Sequence, residues 1–207
     1  MERLLRRYTE LPYVIDYLVT EKLALLNPAS WDDRNDSFYI EEYARRSGVK
    51  SVYALCLADC AETYHHWRVF SHGSGGACIQ FKRKEFLSAI SKVDGLRSES
   101  VNYKTIEELR GTMPALEELP FLKRWAFNNE SEFRLFYELN NEGEPIYRIT
   151  VPRACIDRII LSPWLSNEVA DRVRKTLKSI SGCSDIKMYR STLVENEDWK
   201  RFANSST

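Results

Sequence analysis

The chain has 207 residues, of which 43% are apolar and 29% charged; these are globular proportions, and they exclude a disordered chain or a collagen-like repeat. Its 30 basic residues balance 30 acidic ones. That balance excludes binding to nucleic acid or anionic lipid by bulk charge, while leaving a local basic groove open.

Met1 to Tyr8 is basic without a following apolar run, and no stretch reaches the roughly eighteen apolar residues of a membrane span, so a soluble cytoplasmic protein with no membrane contact is expected. Leu11, Val14, Ile15, Leu18 and Val19 recur at three and four. This spacing predicts a helix with Pro12 in its first turn and its end near Glu21 and Lys22. Leu23 to Leu26 reads as a strand stopped by Asn27 and Pro28, and Trp31 to Asp36 as a polar loop. Val52 to Leu57 and Ala77 to Phe81 are apolar runs of strand length, the second preceded by Gly73-Ser74-Gly75-Gly76. A short helix is expected over Lys84 to Lys92 and a strand over Val101 to Tyr103. Apolar residues at Leu116, Leu119, Leu122, Trp125 and Ala126 predict a helix over Leu116 to Asn128 in spite of Pro120. From Glu132 the period changes to two, with Phe133, Leu135 and Tyr137 alternating. Tyr147 to Val151 and Arg158 to Ser162 bring the expected strands to at least six. Asn167 to Ile180 reads as an amphipathic helix capped by Ser166 or Asn167, with Gly182 beyond its end.

No linker or repeat divides the chain, so one domain over 1–203 and a flexible tail over 204–207 are expected. Strands and helices that do not alternate regularly predict an α+β fold: a central, mainly antiparallel, split sheet flanked by helices. Cys56, Cys60, Cys78, Cys155 and Cys183 are odd in number and scattered, which suits buried thiols better than a disulfide framework. The three histidines, His65, His66 and His72, do not complete a zinc pattern with them, and no metal site is expected.

Three segments carry residues capable of chemistry. Trp31-Asp32-Asp33-Arg34-Asn35-Asp36 offers three carboxylates without the calcium-loop spacing, and turn capping is the plainer reading. Tyr64 to Gly76 sets aromatics, imidazoles and Arg68 beside a glycine-rich turn, a mixture able to stack a base and meet phosphate, although Trp67 and Phe70, if they face inward on a helical turn, suit a core better than a ligand platform. Glu130, Glu132 and Arg134 would share one strand face, either as an acid/base pair or as an ion-pair ladder on a surface strand.

Taken together, these segments resemble the mainly bacterial domain-of-unknown-function family 2971. The resemblance rests on Leu5-Arg6-Arg7-Tyr8, on Asp33 and Asp36, on Trp67, Phe70, Gly76, Cys78, Ile79 and Phe81, and on Lys123, Trp125, Glu130, Glu132, Phe133 and Arg134. That family's layout is in turn similar to ADP-ribosyltransferases. The resemblance implies that Arg7 and Tyr8 bind NAD, that His66, Trp67 and Phe70 line its nicotinamide pocket, and that Asp33, Asp36 and Arg134 complete the nucleotide site. It implies Glu132 as the catalytic carboxylate and Glu130 as the group that activates the acceptor. The function so implied is an NAD-consuming transferase that modifies a nucleic acid or protein, as a toxin or anti-phage defence effector with an antitoxin or defence partner. Two other readings stay open: a metal-dependent nuclease or phosphoesterase using Asp33, Asp36, Glu130, Glu132 and a histidine, and a nucleotide-binding module without catalysis.

Overall fold

Alternating apolar residues dominate the order of elements along residues 4–204, the part of the chain that the computed structural model describes. Residues 205–207, most of the expected tail, and residues 1–3 lie outside it. In chain order the strands and helices are β1 (Leu4–Glu10), α1 (Leu11–Thr20), β2 (Lys22–Leu26), α2 (Arg34–Ser47), β3 (Ser51–Ala58), α3 (Tyr64–Phe70), β4 (Gly76–Lys82), α4 (Arg83–Ile90), β5 (Arg97–Ser100) and β6 (Asn102–Lys104). They continue with α5 (Ile106–Gly111), β7 (Leu122–Arg124), β8 (Glu132–Leu139), β9 (Ile146–Thr150), β10 (Ile156–Leu161), α6 (Asn167–Lys178), β11 (Lys187–Arg190) and α7 (Glu197–Asn204).

Nine strands form one sheet in the order β11-β10-β4-β1-β3-β2-β9, with β8 beside β3 and β5 beside β8. Every pairing in it is antiparallel except β10 with β11, and β6 and β7 form a separate parallel ribbon. The sheet is split. Strand β1 pairs with β4 along its whole length, yet meets β3 only at Arg6 and Ala58. Strand β2 pairs fully with β9, yet meets β3 only at Leu26 and Ala54. The middle of β3 therefore lies at a fork, while its other edge is fully paired with β8 from Ser51–Leu139 to Ala58–Glu132.

Period two sorts the side chains onto two faces. Leu5, Leu55, Leu57, Ile79, Phe81, Phe133 and Leu135 face the main core with Val14, Tyr17 and Leu18 of α1, Phe86 and Ile90 of α4, and Ala170 and Leu177 of α6. Each such buried side chain contributes about 1.5–3 kcal/mol of transfer free energy. The other face carries two smaller clusters. One joins Ile40 and Tyr43 of α2 to Val52, Ala54, Phe121 and Phe136; the other joins Trp67 of α3 to Tyr8, Ala58, Cys78 and Ile160. Polar side chains fill the ground between them. The result is the expected α+β architecture, a mainly antiparallel split sheet flanked by helices.

Two expectations are corrected. The polar loop from Trp31 ends at Asp33, because the Asp33 carboxylate accepts hydrogen bonds from the Asn35 and Asp36 N–H groups and starts α2. The helix expected over Leu116 to Asn128 is instead two 3₁₀ turns, Leu116–Phe121 and Trp125–Glu130, separated by β7. Leu119, Pro120, Phe121 and Leu122 are all buried in succession, which no single helical stripe allows, and Pro120 has no N–H to give a helix. All five cysteines are free thiols, three buried and two half-buried. Among the described residues no helix is long and apolar enough to cross a membrane.

Candidate active site

Between the two smaller clusters, the chain leaves a 3₁₀ turn at Glu130 and enters β8 at Glu132 through Ser131, whose φ of 44° is left-handed. Several contacts hold this turn. Asp59 N–H donates to Ser131 O, Glu132 N–H donates to the Tyr103 hydroxyl at 2.9 Å, and His66 Nε2–H donates to Glu130 O at 2.9 Å. With Nε2 committed as donor, Nδ1 of neutral His66 accepts from the Thr63 hydroxyl at 2.6 Å. Burial lowers the His66 pKa and keeps the ring in that neutral form.

Arg134 is wholly buried and saturated. Its Nε donates to Glu132 Oε1 at 2.6 Å, its Nη1 and Nη2 grip Asp36 at 2.9 and 2.7 Å, and Nη1 also reaches Pro120 O at 2.8 Å. Lys123 Nζ lies 2.6 Å from Glu130 and 3.5 Å from both Glu132 and Asp36. Burial alone would push the Glu132 carboxyl up, but the Arg134 and Lys123 charges outweigh it and lower its pKa to about 2. Glu130 moves the other way: burial raises its pKa, aided by the negative charges of Glu132 and Asp36 and opposed by Lys123. The two carboxyls thus differ in protonation tendency because only one has a guanidinium against it.

Glu130 and Glu132 line a pocket at the fork with Arg6, Tyr8, Cys56, Leu57, Ala58, His66 and Phe70. Its open space is about 20 Å³, room for one water. Tyr8 stacks on His66 at 5.2 Å, and Phe70 lies 5.8 Å from the same imidazole. Arg6 Nη1 donates to Cys60 O. Arg6 Nε and the Tyr8 hydroxyl, which sits beside the Cys78 thiol, are buried without a geometrically sound hydrogen-bond partner among the described residues. Such groups cost about 1–3 kcal/mol each when nothing satisfies them.

The structure therefore brings Tyr8, His66, Phe70, Glu130 and Glu132 together around one pocket, with Asp36 and Arg134 directly behind the carboxylates. Three other residues lie apart from its lining. Trp67 is fully enclosed behind the wall, its indole N–H donating to Glu62 at 2.6 Å. Asp33 serves as the α2 cap. Arg7 points to the opposite face of the sheet, where its Nη1 donates to Cys56 O at 3.1 Å, although its charge still favours ionised Glu132 across the fork. Glu132 and Arg134 do share a strand face, whereas Glu130 precedes the strand and joins them through the Ser131 turn. Strand β8 is interior, paired on both edges, and not the surface ladder of the plainer sequence reading. Sequence reasoning missed Arg6 and gave Lys123 no role; the period-two alternation that sets Arg6 with Tyr8 on one face of β1 was the signal for the first.

Among the described residues no group of His, Cys, Asp and Glu is arranged to hold a metal ion. The three converging carboxylates surround the Lys123 ammonium instead.

No family model matches the chain, and no curated protein matches it. Among solved structures it is similar to Thermus sp. 2.9 DarT in complex with carba-NAD+, at a TM-score of 0.47 and 14% identity over 96% of this chain and 97% of that one. Similar values hold for the same protein in complex with NAD+, with a TM-score of 0.45 and 14% identity over 96% and 97% of the two chains. For its complex with ADP-ribosylated ssDNA the TM-score is 0.45 and the identity 16%, over 96% of each chain. So distant a likeness assigns this chain neither a ligand nor an acceptor.

Proposed function

We propose that the chain is an NAD-consuming ADP-ribosyltransferase-like enzyme that modifies a macromolecule, either nucleic acid or protein. The observation that carries this reading is a carboxylate held ionised by a buried guanidinium, at the wall of a pocket that also presents stacked rings and a partly unsatisfied arginine. In the proposed reaction the bond between nicotinamide and the ribose carbon breaks, and its electron pair leaves with nicotinamide. The developing positive charge on the ribose faces Glu132, whose fixed negative charge lowers the barrier. An acceptor oxygen or nitrogen then bonds to that carbon and gives its proton to Glu130, whose raised pKa suits a base.

Tyr8 and Phe70 hold the nicotinamide ring, and His66 fixes the Glu130 backbone. Arg6 meets the pyrophosphate from within the pocket. Arg7, which the family resemblance assigns to that contact, supports the ionised Glu132 from the other face. Asp36 and Arg134 position Glu132, and Trp67 backs the wall. A nicotinamide ring does not fit in about 20 Å³, so α3 must move outward for NAD to enter. A metal-dependent hydrolase fits less well, because a lysine already occupies the place where the carboxylates converge. A cytoplasmic toxin or anti-phage effector, restrained by an antitoxin or defence partner, is the biological role that suits such an enzyme.

The test is nicotinamide release from NAD by the purified chain with mixed nucleic-acid and protein acceptors. Release that survives EDTA and is lost in Glu132→Gln, assayed well below that variant's melting temperature, is the expected result. Hydrolysis of nucleic acid that stops with EDTA would favour the metal-dependent reading. NAD binding without turnover would leave a binding module.

A further inference from the structure

On the face opposite the candidate active site, the divergence of β1 from β2 leaves a cavity of about 200 Å³ beside α1. Leu55 and Ile79 give it an apolar lining, Tyr13 adds a ring from α1, and Arg7 lines it from β1. Lys22, Arg148 and Asp16 complete its border, with Arg148 and Asp16 bonded to each other at 2.5 Å.

Two features here are unexplained by folding alone. A guanidinium has five donors, yet among the described residues Arg7 makes a single hydrogen bond, to Cys56 O. The Glu132 charge across the fork partly answers this half-buried cation, but most of its N–H donors are left without an acceptor, which favours an anion joining it. In addition, the edges of β1 and β2 that face the gap have a strand partner at one position each, so backbone donors and acceptors border the same cavity.

We propose that this cavity binds a small aromatic carboxylate, with the acid group on Arg7 and the ring against Leu55 and Ile79. The guanidinium fork matches a carboxylate in two parallel hydrogen bonds. Asp16 and Arg148 answer each other at the border, which leaves Lys22 at the rim and Arg7 beside the apolar lining as the cation a planar acid group would meet. A dry cavity of about 150 Å³ accepts a benzene ring, so the space here takes one ring with its acid group. The proposal shares Arg7 with the chemistry assigned to the other face, but its test reads binding without turnover, so either can fail while the other stands.

The experiment titrates the wild-type chain with benzoate and indole-2-carboxylate, and with benzamide and indole-2-carboxamide as neutral analogues, followed by NMR. At least one acid is expected to bind about tenfold or more tightly than its amide. Arg7→Met is expected to erase that preference, and Ala24→Leu, which puts bulk into the cavity wall, to weaken both acid and amide. Equal affinity for acid and amide, no binding of either, or unchanged binding in Ala24→Leu would overturn the proposal. Tighter binding of phenyl phosphate than of either acid would overturn its ligand class. The wild-type comparison and Ala24→Leu decide the matter even where Arg7→Met does not fold.

Discussion

Arg134 holds two carboxylates from different parts of the chain with no exposure to solvent. Removing it leaves Asp36 and Glu132 as buried charges answered by Lys123 and, for Glu132, by the Arg7 charge across the fork. Arg134→Met is therefore expected to cost about 3–5 kcal/mol of stability, measured by denaturant unfolding. Arg134→Lys should recover only part of this, since an ammonium cannot grip both carboxylates at once. The pH dependence follows from Glu132. Its folded pKa, lowered to about 2, lies below the ordinary carboxyl value of about 4.3. The unfolded chain thus takes up this proton first. The stability Glu132 contributes is fully present above about pH 5 and is lost as pH falls towards 2. Glu132→Gln should flatten that part of a plot of stability against pH, and an unchanged slope would contradict the assignment. At this scale Glu132 and Arg134 were legible in the sequence, because i and i+2 on a strand share a face. Glu130 was only half legible: its partnership with Glu132 depends on a left-handed Ser131 that no local pattern marks.

Helix α3 forms one wall of the proposed site, and its two ends are fixed by small polar residues. Thr63 caps it and also donates to His66 Nδ1. Thr63→Val should lower stability by about 1–2 kcal/mol in thermal unfolding. Gly76, where β4 begins, is tighter still: a Cβ there would lie 2.6 Å from Ser71 Oγ and 2.7 Å from Ser71 Cβ. Ser71 is buried and donates to Trp67 O, so it cannot step aside without disturbing α3. Gly76→Ala is expected to lower the melting temperature and weaken NAD binding together, by calorimetry. Most strands, α1, α4 and α6 were readable because their apolar residues keep a clear period. The segment from Leu116 to Asn128 was not. Its apolar spacing imitates a helix, while what shapes it is long-range: Pro120 O is taken by Arg134, and Lys123 is drawn to three carboxylates.

For the molecule as a whole, the split of the sheet is what gives the two faces different uses. One face is a continuous core; the other is two small apolar clusters with a charged gap between them. That the fold is α+β could be read from the order of elements, but the fork could not, since it reflects pairings of β1 and β2 with β3 that stop after one position each. The closed pocket implies that ligand entry reorders α3. Hydrogen exchange should slow in α3 and at the Glu130–Glu132 turn when NAD is added, with β9 at the far end of the sheet unaffected.

The most direct measurement is a crystal structure with a non-hydrolysable NAD analogue. The expected result places the nicotinamide between Tyr8 and Phe70, the ribose carbon facing the Glu132 carboxylate and the pyrophosphate within reach of Arg6. An analogue bound elsewhere on the chain, with the pocket at Glu132 still closed, would contradict the account.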